Sequence, residues 1–132
     1  MANRFSSINT DVVTTNTACA ATTLVVLSPV IDTRQGICGS LHGTFNLTTA
    51  SASQKVDVYA VYSYDGTNFD ETADKGFLKA LGSVALTNDT NAHKFTIPLD
   101  GLAVACPYMK IAVYASAAGT LQSLKCNVRV AN

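Results

Sequence analysis

Apolar and polar residues alternate over short stretches along most of the chain, and no segment shows a convincing helical period. Over residues 40–47 every second side chain is apolar or glycine, and the side chains between them are polar. Residues 93–99 and 124–130 alternate in the same way. Because successive side chains of a strand point to opposite faces, each stretch predicts a half-buried β-strand.

Further apolar stretches lie over residues 22–30, 55–64, 77–86 and 108–115. The second of them runs directly into Asp65-Gly66, a dipeptide that favours a tight hairpin turn. Short strands separated by regular turn residues are typical of sandwiches and small barrels. We therefore predict an all-β fold, an antiparallel β-sandwich of about seven to eight strands, jelly-roll-like, with an immunoglobulin-like Greek key as the alternative. A helix is conceivable only over residues 76–81.

The N-terminal segment, residues 1–21, is polar and rich in threonine, with only isolated apolar pairs. Such a composition buries too little apolar surface to form an element alone. We expect an extended N-terminal arm over 1–21, either frayed or ordered along a neighbouring subunit. A single β-sandwich domain is expected over 22–132.

Composition narrows the range of partners. The chain has 132 residues, of which 48% are hydrophobic and only 14% charged, and nine Lys and Arg balance nine Asp and Glu. Without a net charge we expect neither nucleic acid nor a membrane surface as a partner. The apolar run over 18–27 is too short to cross a bilayer, and the N terminus lacks the pattern of a signal peptide.

Residues able to perform chemistry are few and scattered. Four cysteines stand far apart and form no C-x-x-C pair: Cys19, Cys38, Cys106 and Cys126. We expect them to be reduced thiols, although their even number also allows two disulfides. His42 and His93 are too few for a three-histidine zinc site, and no nucleophile elbow or phosphate-binding loop is present. We expect no catalytic residue, no metal, no cofactor and no enzymatic activity.

The densest acidic cluster consists of Asp65, Asp70, Glu71 and Asp74. Carboxylates this close could supply oxygen ligands to calcium. However, Thr67 and Asp70 depart from the EF-hand pattern, and the terminal glutamate is missing. A solvated turn is the better interpretation, because Asp-Gly is favoured there for backbone reasons.

Two strands carry apolar side chains on both faces. In 55–64 one face holds Val56, Val58, Ala60 and Tyr62, but Tyr59 and Val61 occupy the other. In 108–115 the face opposite the inward set holds Tyr108, Ala112 and Tyr114. If the strands are neighbours, these residues form a tyrosine-rich patch of the kind found at interfaces. The predicted interface residues are Tyr59, Val61, Tyr108 and Tyr114; the alternative is that a loop or the arm covers them within one subunit.

Two segments carry a resemblance to a known class of proteins: VDVYAVYSYDGTNFDET over 56–72 and YMKIAVYASAAGTLQSLKCNVRV over 108–130. They resemble the small β-sandwich virion structural proteins of tailed bacteriophages, of the capsid decoration or cement type. The resemblance implies a protein made in the host cytoplasm that binds the outer capsid surface, with the major capsid protein as partner. It also implies a homo-oligomer, with a trimer favoured.

Two other functions remain open. The chain could be a structural protein of the tail or of the head-to-tail connection, where a sandwich would form rings. It could also be a carbohydrate-binding β-sandwich module, with Tyr62, Tyr64 or Tyr108 stacking on sugar rings. The absence of tryptophan argues against the second.

Overall fold

Strands dominate the structure, a computed structural model that describes the backbone of residues 5–131 and the side chains of residues 6–130. One 3-10 turn spans Lys75–Phe77. The strands are β1 (Phe5–Val13), β2 (Thr17–Cys19), β3 (Leu24–Val26), β4 (Ile31–Asp32), β5 (Gly36–Leu47), β6 (Lys55–Ser63), β7 (Lys79–Ala85), β8 (His93–Leu99), β9 (Tyr108–Ala115) and β10 (Gly119–Ala131).

The strands form two antiparallel sheets with the orders β1-β10-β5-β8 and β3-β9-β6-β7. β2 adds to β10 on the edge that β1 occupies, and β4 adds to β9 beside β3, so each pair fills one strand position. The hydrogen-bonded pairs are then nested along the chain: first with last, second with seventh, third with sixth and fourth with fifth. This nesting is the jelly roll, so the predicted jelly-roll-like sandwich is confirmed, and the immunoglobulin-like alternative is not the topology.

The core lies between the sheets and is built from the alternating positions that the sequence predicts. Leu41, Phe45 and Leu47 of β5 are each at most 2% exposed, as are Met109 and Ile111 of β9. Packing against the core strand β5 is close at Gly43. A Cβ on Gly43 would come within 2.4 Å of Cζ of Phe95, so only glycine leaves room for that ring.

The predicted N-terminal arm is wrong for residues 5–19. β1 pairs with β10 from Phe5↔Ala131 to Val13↔Leu124, and β2 pairs with β10 further along. Val12 and Val13 enter the core at 5% exposure each. The domain therefore includes this segment, because the backbone of an edge strand is satisfied by its neighbour even where few side chains are buried. Residues 1–4 of the predicted arm lie outside the described residues.

The predicted tight hairpin at Asp65-Gly66 is also wrong. Gly66 does have the positive φ that the dipeptide favours, at 80°. However, β6 ends at Ser63 and β7 begins at Lys79, so the turn opens a long loop over 64–78. In place of the helix considered over 76–81 there is only the single 3-10 turn, which Asp74 caps by accepting from the Gly76 N–H at 2.8 Å.

Candidate interaction surfaces

The pairing of β6 with β9 brings the predicted interface residues together on one outer face of the second sheet. In register, Tyr59 lies opposite Ala112 and Val61 lies opposite Lys110. Tyr114 lies opposite Asp57, on the same face as Tyr59. The two strands are therefore neighbours, which is the condition on which the tyrosine-rich patch depends.

The loop over 64–78 folds back onto this face. Phe69 and Leu78 of the loop pack against Val61 and Ala112 in a second apolar cluster, separate from the main core. Val61 is 1% exposed and Leu78 is 8% exposed. Val61 is thus a core residue, and the prediction that it contacts a partner is wrong, because a loop of the same subunit covers it.

Cationic side chains also lie over this outer face of the second sheet. Three of them lie over aromatic rings of this face: Lys75 over Tyr114 at 4.6 Å, Lys110 over Phe69 at 4.4 Å and Arg34 over Tyr108 at 5.2 Å. Tyr59 is half-buried against the same apolar cluster. The three tyrosines are therefore occupied largely by their own chain, and a role for them in binding a partner stays a prediction.

The acidic cluster holds the covering loop in place. The Asp65 carboxylate accepts from the backbone N–H groups of Asn68 at 2.8 Å and Thr67 at 2.9 Å, and from the Ser63 hydroxyl at 2.9 Å. These hydrogen bonds, first of all those from Asn68 and Thr67, hold the pKa of Asp65 well below its usual range.

Asp70 fastens the next part of the loop. Its backbone N–H donates to the Tyr62 carbonyl at 2.9 Å, and its carboxylate accepts from the Tyr62 N–H at 3.1 Å. The loop thereby continues the edge of the sheet beyond β7. Within residues 5–131, no group of three or more His, Cys, Asp or Glu side chains is arranged to hold a metal ion.

Two tyrosines considered for sugar binding differ sharply. The Tyr62 ring faces the core, and its hydroxyl donates to the Ala103 carbonyl at 2.6 Å. Burial raises the pKa of Tyr62 to about 12. Tyr62 is therefore unavailable for stacking on a sugar, whereas Tyr64 is 80% exposed.

The two histidines lie in ordinary polar surroundings. His42 contacts the hydroxyls of Ser40 at 2.7 Å and Thr96 at 3.1 Å on the polar outer face of the first sheet. The Nε2 atom of His93 lies 2.7 Å from the Asp89 carboxylate, and this contact lowers the pKa of Asp89.

The cysteines are all free thiols in the structure. Cys19 and Cys126 are buried, and burial raises the pKa of each, that of Cys126 to about 12. High pKa values keep these two sulfurs in the unreactive thiol form.

Two of the most exposed apolar side chains, Tyr64 and Leu102, lie at one end of the sandwich, a placement that no local sequence pattern indicates. This end, here called the loop end, is formed by the loops over 33–35, 64–78 and 100–107. Its most exposed members are Tyr64 at 80% and Leu102 at 76%, and Ile37 at 42% adjoins the last loop. Phe77, at 74%, stands between Lys75 and Leu78, where the loop has folded back over the outer face of the second sheet.

Hydrogen bonds tie the loops over 33–35 and 100–107 to each other, and the second of these loops to β6. The Thr33 N–H donates to the Pro107 carbonyl at 2.8 Å, and the Thr33 hydroxyl donates to the Cys106 carbonyl. The Tyr62–Ala103 bond joins the end of β6 to the third loop. The exposed apolar residues are thus presented on an ordered scaffold.

The opposite end differs in composition. Its loops over 20–23, 48–54, 86–92 and 116–118 consist almost entirely of Ala, Ser, Thr, Asn and Gln, with Leu86 as the one large apolar residue. Among the described side chains, every exposed large hydrophobic residue lies outside these four loops. Exposed apolar side chains at the loop end and small polar side chains at the opposite end are compatible with a binding surface at the loop end.

The loop end is also acidic. Its three loops contain five acidic residues against Arg34 and Lys75. Arg34 is bonded to Asp32 at 2.7 Å, and Lys75 lies over Tyr114. A partner for this end would therefore need apolar pockets for Leu102 and Tyr64 within a basic surround.

Neither a scan against protein-family models nor a search of curated proteins finds a match to this chain. Solved structures do match in fold. The VP2 subviral particle of infectious bursal disease virus matches with a TM-score of 0.56 and 12% identity, over 97% of this chain and 33% of VP2.

Two proteins of Porphyromonas gingivalis also match in fold. Dimeric latent PorU matches with a TM-score of 0.56 and 7% identity, over 99% of this chain and 13% of PorU. The K3 cleaved adhesin domain of Lys-gingipain matches with a TM-score of 0.53 and 16% identity, over 85% of this chain and 69% of that domain. At these identities the likeness shows the fold alone, and this chain spans only a minor part of VP2 and PorU.

No helix among residues 5–131 has the length and apolarity needed to cross a membrane.

Proposed function

We propose that this chain is a virion structural protein of the capsid-decoration type, which binds the outer surface of a capsid shell through the loop end. The observation that carries the proposal is the asymmetry of the sandwich. Leu102 and Tyr64 are exposed on hydrogen-bonded loops at one end, whereas the opposite end presents small polar side chains.

The fold is compatible with such a role. A jelly roll is a common architecture of capsid domains, and the likeness to VP2 of infectious bursal disease virus is a likeness in this architecture. The resemblance of residues 56–72 and 108–130 to virion proteins of tailed bacteriophages supports the decoration type. The partner in this proposal is the major capsid protein.

Stabilisation of the shell would follow from mass action. A protein that binds assembled shells more tightly than free capsid subunits lowers the free energy of the assembled state. Leu102 and Tyr64 are suited to anchor the contact, because a few large apolar or aromatic side chains supply most of the binding energy at interfaces. The acidic residues around them would select a basic patch and speed encounter with it.

The test is co-sedimentation with empty shells assembled from the capsid protein whose gene neighbours that of this chain. Leu102→Lys should reduce binding at least about tenfold, since it removes an apolar anchor. Ala118→Lys, a change at an exposed position of the opposite end, is the matched control and should bind like the wild type. Equal binding by both variants, or no binding by the wild type, would contradict the proposal.

The number of copies in the assembly distinguishes a protein of the tail or head-to-tail connection from a capsid-decoration protein. A connector subunit would close into a ring, whereas the resemblance to decoration proteins implies a trimer. Mass measurement and electron microscopy of the isolated protein separate rings of six or more copies from smaller assemblies.

A carbohydrate-binding function has one observation in its favour, the 80% exposure of Tyr64. Binding to a glycan array that disappears in Tyr64→Ala and persists in Leu102→Lys would favour this alternative over the capsid contact. Retention of shell binding without any glycan binding would exclude it.

A further inference from the structure

Four strand positions stand at the edges of the two sheets, and three carry features that disfavour pairing with another strand. β8 contains Lys94 and Pro98. β3 and β4 have only three and two residues, with Pro29 between them. β7 begins with Lys79. Short strands, prolines and lysines are the usual protection of an exposed edge.

β1 lacks this protection. It is nine residues long and contains neither lysine nor proline, and among the strands of residues 5–131 it pairs with β10 alone, at the end of its sheet. Its register is regular from Phe5 to Asp11, where the first shift occurs. Such a strand offers a row of backbone donors and acceptors to a further strand.

We propose that β1 pairs antiparallel with β1 of a second copy of this chain, about a two-fold axis at Asn9. This register pairs residues 7–11, a regular part of β1 centred on Asn9, with the same residues of the second copy. It places Asn9 opposite Asn9 of the second copy and Asp11 opposite Ser7, so that the carboxylates do not face each other. The strand is therefore self-complementary, as a two-fold contact requires.

The side-chain faces agree with this register. Asn9 and Asp11 lie on the outer face, where Asn9 accepts from the Asn127 amide at 2.7 Å and Asp11 lies 3.9 Å from Lys125. Ile8 points the other way and remains 37% exposed at this edge. In the pair, Ile8 lies opposite Thr10 of the second copy, which covers part of its apolar surface.

The pairing gives a dimer with one sheet continuous through both copies, and it does not depend on the proposed function. The trimer implied by the resemblance would need a different, head-to-tail contact. The two assemblies differ in mass and are separated by analytical ultracentrifugation of the full chain.

Charge changes at Ser7 test the register. Ser7→Lys places two ammonium groups opposite the two Asp11 carboxylates, and Ser7→Glu places two carboxylates there. From the usual size of cross-strand charge pairs, the dissociation constant of the dimer should fall between about twofold and about thirtyfold in Ser7→Lys and rise similarly in Ser7→Glu. Ser7 is exposed, so both variants should fold like the wild type.

Disulfide trapping tests the geometry directly. Directly opposed residues of antiparallel strands lie about 4.5–5.5 Å apart at Cα, within the range of a disulfide. Asn9→Cys should therefore cross-link two copies on air oxidation, and mass spectrometry should identify two identical β1 peptides joined through the introduced thiols. Asp11→Cys is the control, because its sulfurs would be separated by roughly 13 Å along the strand.

A monomer or trimer at all concentrations would overturn the proposal. Equal cross-linking of Asn9→Cys and Asp11→Cys would also overturn it. So would a dimer whose dissociation constant is the same in both Ser7 variants as in the wild type. Pairing of β1 with a strand of the capsid protein instead would appear as Asn9→Cys cross-links to that protein only, and it would equally contradict a pair of identical copies.

Discussion

The hydroxyl of Tyr62 donates a hydrogen bond of 2.6 Å to the carbonyl of Ala103. This bond joins the end of β6 to the loop over 100–107, which presents Leu102 to solvent. Since the Tyr62 ring also packs against the main core, it anchors the loop end to the body of the sandwich. The rigidity of the proposed binding surface therefore depends in part on this residue.

Replacing Tyr62 with Phe should lower the free energy of unfolding by about 1 kcal/mol, because the Ala103 carbonyl loses its partner while the ring stays packed. Amide hydrogen exchange should rise chiefly in residues 100–107. Tyr64→Phe, which changes an exposed ring, is the control and should leave both quantities unchanged. A uniform rise in exchange over the whole chain would argue against a local anchor.

The ionisation of Tyr62 should be measurable at alkaline pH. Burial raises the pKa of Tyr62 to about 12, so its stabilising contribution is complete below the unfolded value of about 10 and is lost as pH rises through about 12. Ultraviolet titration of the tyrosines should show one phenol ionising late. That phase should vanish in Tyr62→Phe and persist in Tyr64→Phe; its persistence in Tyr62→Phe would assign it elsewhere.

Val61→Lys should destabilise the protein by at least about 3 kcal/mol, because an ammonium group would be buried without a partner under the 64–78 loop. Val26→Lys is the matched control on the same sheet, at a position that is 38% exposed, and should cost little. Chemical denaturation measures both. Equal stability of the two variants would show that the loop does not cover Val61 in solution.

Gly43→Ala should cost about 2 kcal/mol through overpacking, since the new methyl group would meet the Phe95 ring. In a Phe95→Ala background the same change should cost much less, because the clash is gone. A double-mutant cycle by denaturation gives the coupling. Additive effects would mean that the ring does not lie against Gly43.

Strands whose faces differ in polarity could be predicted well from the sequence. β8 spans His93–Leu99 as predicted, and the inward residues of β9 and β10 are buried as expected. β1 escaped prediction because, among its described side chains, only Val12 and Val13 are buried, while its stability comes from backbone pairing with β10. Backbone pairing leaves little trace in a hydrophobic pattern.

The outer face of the second sheet, which the 64–78 loop covers, shows a different limit of prediction from the sequence. Alternation correctly placed Tyr59 and Val61 on an outer face, but it could not show that Phe69 and Leu78 return from a distant part of the loop to cover it. The exposure of Leu102 depends likewise on how its loop is held by Tyr62. Both features arise from contacts distant in sequence, which no local pattern records.

Electron microscopy of capsid shells with this chain bound tests the central claim most directly. We expect sandwich density on the outer surface of the shell, with the loops over 33–35, 64–78 and 100–107 against it and those over 48–54 and 86–92 facing solvent. Density in the opposite orientation, or confined to the tail or the head-to-tail connection, would contradict the account.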